Sequence, residues 1–179
     1  VYDYYMPSRI GFNEAHTDLL KLLKSAKRGD TIKLRLGGYG GQVNTAQVIV
    51  NSIRESEALI VVDLLSGAYS AHAIISCAAD QINFRPGTFL MFHTVQSRGK
   101  ALLYQDMDID TKMQVDDLFY KGCSHILSEE EIDNVVQKDY EYYVAKVDGV
   151  LVKHTVKNEQ LKYDIDIIPF YPGHFPEEF

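Results

Sequence analysis

The residues best suited to chemistry lie in one short stretch, Ser66 to Ala73, which reads SGAYSAHA. The apolar, β-branched segment from Ala58 to Asp63 predicts a buried strand before it, and the small apolar residues from Ala71 to Ala79 predict a buried helix after it. Ser70 therefore stands where a strand turns into a helix, beside the unpaired N–H groups of that helix. Such a hydroxyl is either a nucleophile or only the N-cap of the helix, and capping serines are far commoner.

A nucleophilic serine needs a base, and two histidines are candidates. His93 ends a predicted apolar strand from Thr88 to Phe92. A histidine in that position acts as a general base only where it has a partner. His72 is closer to Ser70 along the chain, but residues two apart on a helix do not share a face. The sequence therefore favours His93 over His72.

A glycine-rich loop from Gly37 to Gly41 follows an alternating segment at 31–36. A phosphate-binding loop would need a Lys-Ser or Lys-Thr pair, which is absent. A dinucleotide-binding fingerprint begins at Gly38, but Val43 takes the place of its third glycine. Two interpretations remain. The loop is either an oxyanion hole, in which backbone N–H groups approach a reacting carbonyl, or a tight turn with positive φ angles.

The elements that position these residues alternate between strand and helix. Strands at 31–36 and 58–63 each lead through a tight turn into a helix, at about 44–55 and 71–79. This order predicts an α/β fold with a parallel sheet and right-handed crossovers, in which sites lie at the carboxyl ends of strands. The other predicted elements are a strand at 1–6, a helix capped by Asn13, strands at 81–84 and 96–103, a helix at 107–120, a helix opened by a capping box at Ser128, and a strand at 161–167.

Composition and length exclude some classes of function and indicate the domain count. The chain has 179 residues and a net charge of −7, with no basic cluster that would bind nucleic acid. It has no apolar run long enough to span a bilayer and no secretory signal, so we expect a cytoplasmic protein without a membrane segment. Cys77 and Cys123 lack metal-type spacing, which favours a reducing compartment and argues against a metal site. The length predicts one domain, 1–179.

These motifs resemble ClpP, the proteolytic subunit of the Clp protease and a serine peptidase of the crotonase-like superfold. The family's Asn-Ser-Pro-Gly-Gly loop corresponds to Gly37 to Gly41, and its Gly-x-Ala-x-Ser-Met-Gly-Ala motif corresponds to SGAYSAHA. The family's histidine motif is matched by Met91-Phe92-His93-Thr94-Val95. Its aspartate motif is matched by Lys138-Asp139-Tyr140-Glu141. The resemblance covers roughly residues 4–144.

The resemblance implies a fold of repeated β-β-α units with a protruding strand–helix handle at about 95–138 and a divergent C-terminal extension at about 145–179. It makes Ser70 the nucleophile, His93 the general base and Asp139 the residue that orients His93. The N–H groups of Gly41 and Ala71 would hold the oxyanion, and Gly40 would shape the loop. No metal and no other cofactor is implied, since ATP would be used only by a partner.

The resemblance also implies a mode of action. Subunits would form a homo-oligomer of heptameric rings stacked into a tetradecamer, with the sites inside a chamber. An ATP-dependent unfoldase of the Clp type would deliver polypeptide substrates, which would add as an extended strand beside the handle. The chain departs from the family at Ala71, which replaces methionine, at His72, which replaces glycine, at Tyr39, which replaces proline, and at Lys138, which replaces arginine.

The leading interpretation is therefore a serine endopeptidase that cleaves unfolded polypeptides or peptides inside an oligomeric chamber. The main alternative is a catalytically inactive, ClpP-like structural subunit of a mixed ring. A crotonase-type acyl-CoA enzyme would use carboxylates rather than a serine–histidine pair. A signal-peptide peptidase of the SppA type would need a serine–lysine dyad and a membrane anchor.

Overall fold

The computed structural model describes residues 1–158 and Glu178, so the strand predicted at 161–167 and most of the predicted extension lie outside the described residues. The strands are β1 (Tyr2–Tyr5), β2 (Thr31–Gly38), β3 (Leu59–Tyr69), β4 (Gln81–Asn83), β5 (Phe89–Phe92), β6 (Gln96–Ser97), β7 (Lys100–Ala101), β8 (Tyr140–Val147) and β9 (Val150–Lys157). The α-helices are α1 (Thr17–Ser25), α2 (Val43–Glu55), α3 (Ala71–Cys77), α4 (Ile109–Val115) and α5 (Glu129–Lys138).

One mixed sheet forms the centre of the fold, in the order β1-β2-β3-β5-β8-β9, with β4 also paired to β3. Strands β1 to β5 are parallel wherever they pair, which confirms the predicted parallel α/β core. The antiparallel hairpin of β8 and β9 extends the sheet beyond β5. The sequence did not predict this hairpin, because β9 is almost entirely exposed and so has no apolar face to mark it.

Burial follows the predicted patterns. Strand β2 alternates between buried and half-buried positions, and the middle of β3 is buried on both faces. Every residue of α3 is buried, as its small apolar composition indicates. Helix α1 buries Leu19 and Leu23, but Asn13 begins a 3-10 turn (Asn13–His16) rather than capping the α-helix, which corrects that prediction.

The region predicted as a handle contains the β6–β7 hairpin, which turns at Arg98 and Gly99, a 3-10 turn (Tyr104–Asp106), and helices α4 and α5. The helix predicted at 107–120 is α4 continued by a π-helical segment (Asp116–Lys121). The capping box at Ser128 is confirmed. Its Oγ accepts from the Glu131 N–H at 3.1 Å, and the Ser128 N–H donates to Glu131 Oε1 at 2.9 Å.

Three further features of the described residues bear on function. No helix in residues 1–158 combines the length and apolar character that crossing a membrane requires. Both cysteines are buried free thiols. Within the described part of the chain, no cluster of three His, Cys, Asp or Glu side chains is arranged to hold a metal ion.

Candidate active site

Ser70 lies at the sharp turn between β3 and α3. Strand β3 runs on to Tyr69, because Gly67, Ala68 and Tyr69 pair with the first residues of β5. Ser70 then takes φ 62° and ψ −115°, and its N–H donates to the Met91 carbonyl at 2.8 Å. A positive φ in a residue with a side chain costs on the order of 1–3 kcal/mol, and such strain concentrates at functional sites.

The hydroxyl of Ser70 hydrogen-bonds directly to Nε2 of His93. It makes no capping bond to the first turn of α3, so the structure excludes the simple N-cap interpretation. His93 directly follows β5, and β5 pairs in parallel with the last three residues of β3. The two side chains meet because the carboxyl ends of adjacent parallel strands lie at one edge of the sheet. Both are buried, with Ser70 only 1% exposed.

A hydrogen bond made by the other ring nitrogen of His93 fixes the tautomer of the ring. Nδ1 lies 2.5 Å from the Thr94 carbonyl oxygen, to which it donates as N–H, and this leaves Nε2 as the acceptor for the Ser70 hydroxyl. Burial lowers the pKa of His93, while the Thr94 carbonyl and the charge of Glu141 act in the opposite direction. The ring is therefore neutral near pH 7, as a general base must be.

Asp139 ends helix α5 in the left-handed conformation, with φ 58° and ψ 39°. Its side chain is buried, and burial raises the pKa of its carboxyl group, partly offset by the Asn158 amide. None of the hydrogen bonds between described residues joins Asp139 to His93. The structure thus brings together Ser70 and His93 of the predicted triad, whereas Nδ1 of His93 is bonded to Thr94 instead of Asp139.

Glu141 is a carboxylate that no sequence motif marks as part of the site. Strands β5 and β8 are antiparallel, and their register ends with Phe92 opposite Tyr142. If this register is continued by one residue beyond β5, Glu141 falls opposite His93. Directly opposite residues project to the same face of a sheet. The charge of Glu141 acts to raise the pKa of His93, against the larger lowering by burial. The only sequence signal for this residue was the register of β8, and that strand was not predicted.

A short segment before the 3-10 turn holds the glycine loop in place. The N–H of Tyr39 donates to the Ser8 carbonyl at 2.8 Å, and the Ile10 N–H donates to the Gly40 carbonyl at 2.7 Å. The Gln42 N–H then donates to the Ile10 carbonyl at 2.9 Å. Gly41 has φ +150°, and a Cβ there would lie 1.9 Å from the Ile10 carbonyl oxygen. A glycine is therefore required at this close approach.

The side chain of His72 also contacts the glycine loop. Its Nδ1 accepts a hydrogen bond from the Gly40 N–H at 3.0 Å, and its Nε2 donates to the Pro7 carbonyl at 2.9 Å. Burial lowers the pKa of His72, so the ring is neutral. The Gly40 N–H is thus committed to His72, which restricts Gly40 to shaping the loop. The N–H groups of Gly41 and Ala71 have no hydrogen-bond partner among the described residues.

Comparison with known proteins supports the same architecture. No protein-family model and no curated protein sequence matches the chain. Among solved structures, two of ClpP1 from Listeria monocytogenes, one of them a point mutant, superpose with a TM-score of 0.58 at 17% identity, covering 80% of this chain and 82% of theirs. A peptidase from Plasmodium falciparum superposes with a TM-score of 0.56 at 17% identity, covering 79% and 86%.

The chain has a ClpP-like fold. The resemblance in the motifs and the superposition of the structures agree on this point. At 17% identity this similarity shows the fold alone.

Proposed function

We propose that this ClpP-like protein is a serine endopeptidase that cleaves unfolded polypeptides or peptides. The observation that carries the proposal is the hydrogen bond from the Ser70 hydroxyl to Nε2 of a neutral, buried His93. A serine hydroxyl is a poor nucleophile until a base takes its proton, and this pair provides that base at hydrogen-bond distance. The strained backbone of Ser70 aims the hydroxyl at His93 rather than at its own helix.

The reaction would proceed in two steps. Ser70 Oγ attacks the scissile carbonyl carbon while His93 Nε2 takes the hydroxyl proton, and the oxyanion accepts hydrogen bonds from the N–H groups of Gly41 and Ala71. The tetrahedral intermediate then expels the amine, which takes the proton from His93. Water, deprotonated by the same ring, then attacks the acyl carbon, and His93 returns that proton to Ser70 Oγ as the acid product leaves. No cofactor takes part in either step.

The third member of the triad is a choice between two carboxylates. Asp139 is the candidate by resemblance, and Glu141 is the candidate by strand register. Both would act by stabilising the protonated ring of His93. In the resting structure the Thr94 carbonyl already holds the ring in the required tautomer. Either carboxylate would therefore be a positioning or electrostatic residue for His93.

The proposal extends to assembly and cellular context. We propose homo-oligomeric rings, heptameric and stacked as a tetradecamer, that enclose the sites, with a Clp-type ATP-dependent unfoldase as partner and a cytoplasmic location. Ile109 and Met113 support association, because these apolar side chains lie four residues apart on α4 and are 69% and 64% exposed. Native mass spectrometry of the purified chain tests the ring, and a monomer at micromolar concentration would contradict it.

The bond between His93 and Thr94 also favours a second candidate, an inactive structural subunit, because no carboxylate of residues 1–158 or of Glu178 is bonded to the base. Intact-mass labelling with a serine-directed fluorophosphonate separates the two functions. We expect one adduct on the wild type and on Ser66→Ala, a control serine on the same strand, and none on Ser70→Ala. Absence of any adduct on the wild type would support the structural subunit.

A further inference from the structure

Glu178 lies between two backbone segments that flank the proposed catalytic pair. It forms an antiparallel bridge to Gln42 on one side and another to Gln96 on the other. Gln42 directly follows Gly41 of the glycine loop, and Gln96 lies three residues after His93. We call the space between these two segments the Gln42–Gln96 groove. A residue of this chain, distant in sequence from both walls, therefore occupies it.

The backbone of Glu178 is bonded as a strand would be. The Gln96 N–H donates to the Glu178 carbonyl at 2.5 Å, and the Glu178 N–H donates to the Gln96 carbonyl at 2.9 Å. This reciprocal pair is the pattern of two directly opposed residues in an antiparallel sheet. These main-chain hydrogen bonds do not depend on side-chain identity, so any extended polypeptide can form them.

The side chain of Glu178 has its own partners. Its Oε1 accepts from Arg9 Nη2 at 2.5 Å and from Gln42 Nε2 at 3.1 Å. Arg9 supplies a positive charge and Gln42 a neutral donor, so both contacts favour a carboxylate. A lysine in this position would bring two cations together. The groove should thus prefer acidic over neutral and neutral over basic side chains at this position.

The resemblance already implies that a substrate adds as an extended strand beside the handle. Beyond this, we propose that the Gln42–Gln96 groove prefers an acidic side chain at the position of Glu178, and that the chain's own Glu178 occupies this site in the resting protein. Bound there, Glu178 uses the N–H and carbonyl of Gln96 that an incoming polypeptide would need. Self-occupancy therefore competes with substrate for the groove between Gln42 and Gln96. The inference rests on the proposed function in that it identifies the substrate preference and regulation of the same site.

A binding measurement without hydrolysis tests the inference. The probe is a fluorescein-labelled peptide with the sequence Pro-Gly-His-Phe-Pro-Glu-Glu-Phe, and a second peptide has Gln in place of its second Glu. Both are titrated by fluorescence anisotropy into the full chain carrying Ser70→Ala. Removing residues 178 and 179 from that protein should raise the affinity for the acidic peptide at least tenfold, because its own competitor is gone.

The charge preference is tested on the shortened protein. Arg9→Ala should weaken binding of the acidic peptide by about 1.5- to 5-fold, the range for a largely exposed ion pair, and should leave the Gln peptide unchanged. Arg28→Ala removes an exposed arginine elsewhere and serves as the matched control. Equal peptide affinity with and without residues 178 and 179 would overturn self-occupancy. Equal affinity for the two peptides would overturn the acidic preference.

These outcomes are separable from the proposed function. Failure of Ser70 to react with the fluorophosphonate in the shortened protein, together with acid-selective peptide binding, would refute the peptidase and support the groove. Hydrolysis without any effect of residues 178 and 179 on peptide affinity would support the peptidase and refute the groove.

Discussion

Replacing Gly41 by alanine tests the proposed oxyanion hole most directly. In the structure, the Cβ of alanine would lie 1.9 Å from the carbonyl oxygen, 2.6 Å from the carbonyl carbon and 2.8 Å from the nitrogen of Ile10. All three contacts are with backbone atoms, so no side-chain rotation relieves them. An ordinary Cβ contact begins at 3.4 Å. The loop and the segment of Ile10 must therefore separate by roughly 1.5 Å, since Cβ atoms do not tolerate closer approach.

This displacement moves the Gly41 N–H away from the position where it would meet a reacting carbonyl oxygen. Loss of one oxyanion donor costs about 3 kcal/mol of transition-state stabilisation, which corresponds to a fall in kcat of about 10²- to 10³-fold. A misplacement of about 1 Å at a catalytic group has an effect of similar size. We expect the rate of Ser70 acylation by the fluorophosphonate to fall by the same order.

The assay compares kcat for a fluorogenic peptide and the Ser70 labelling rate in Gly41→Ala and in Gly29→Ala. Gly29 also has a positive φ, +96°, but a Cβ there has nothing within 4 Å. The control thus reports only backbone strain, about 1–2 kcal/mol of stability, and should retain full activity. Urea unfolding tests whether Gly41→Ala is folded. A folded Gly41→Ala protein with kcat within threefold of the wild type would refute the oxyanion assignment.

Two further predictions concern pH. Glu141→Gln should move the acidic limb of the pH profile of kcat/KM to lower pH, because the charge of Glu141 acts to raise the pKa of His93. Asp139→Asn should leave that limb in place. The opposite pattern would assign the electrostatic role to Asp139. Asp63→Asn should cost about 1–3 kcal/mol at pH 7, because hydrogen bonding to Arg85 lowers the pKa of Asp63. Because the pKa of Asp63 is lower in the folded than in the unfolded state, its contribution to stability is present above about pH 4 and is lost as pH falls through the folded pKa. The urea midpoints of the wild type and Asp63→Asn should therefore converge at low pH. A difference that stays constant with pH would contradict this reasoning.

The sequence predicts the part of the fold in which each element has a distinct apolar pattern. Strands β2, β3 and β5 and helices α2 and α3 are buried on defined faces, and their order alone specifies a parallel sheet. The encounter of Ser70 with His93 follows from the same logic, because both residues stand at carboxyl ends of adjacent strands. The capping box at Ser128 is a local motif and needs no tertiary context.

The features that were missed depend on contacts between distant segments. Strand β9 is an exposed edge with little apolar contrast, so the hairpin that it forms with β8 is not visible in the sequence. The register of β8, which brings the charge of Glu141 near His93, is hidden for the same reason. Asp139 itself adopts the left-handed conformation at the end of α5, and a sequence motif does not specify where the side chain of such a residue will point. The Thr94 carbonyl is a backbone group, and no residue type indicates its role.

His72 shows how a departure from the family pattern is compensated in space. The family places a small glycine at this position, and an imidazole there would be costly if its two nitrogens were buried without partners. Here one nitrogen accepts from Gly40 and the other donates to Pro7, so the ring joins the glycine loop to the N-terminal segment. The loop therefore does not depend on the Asn-Ser-Pro residues that it lacks. It is held instead by a neutral histidine on the helix that begins at Ala71, so the proposed oxyanion donors Gly41 and Ala71 are linked through one side chain.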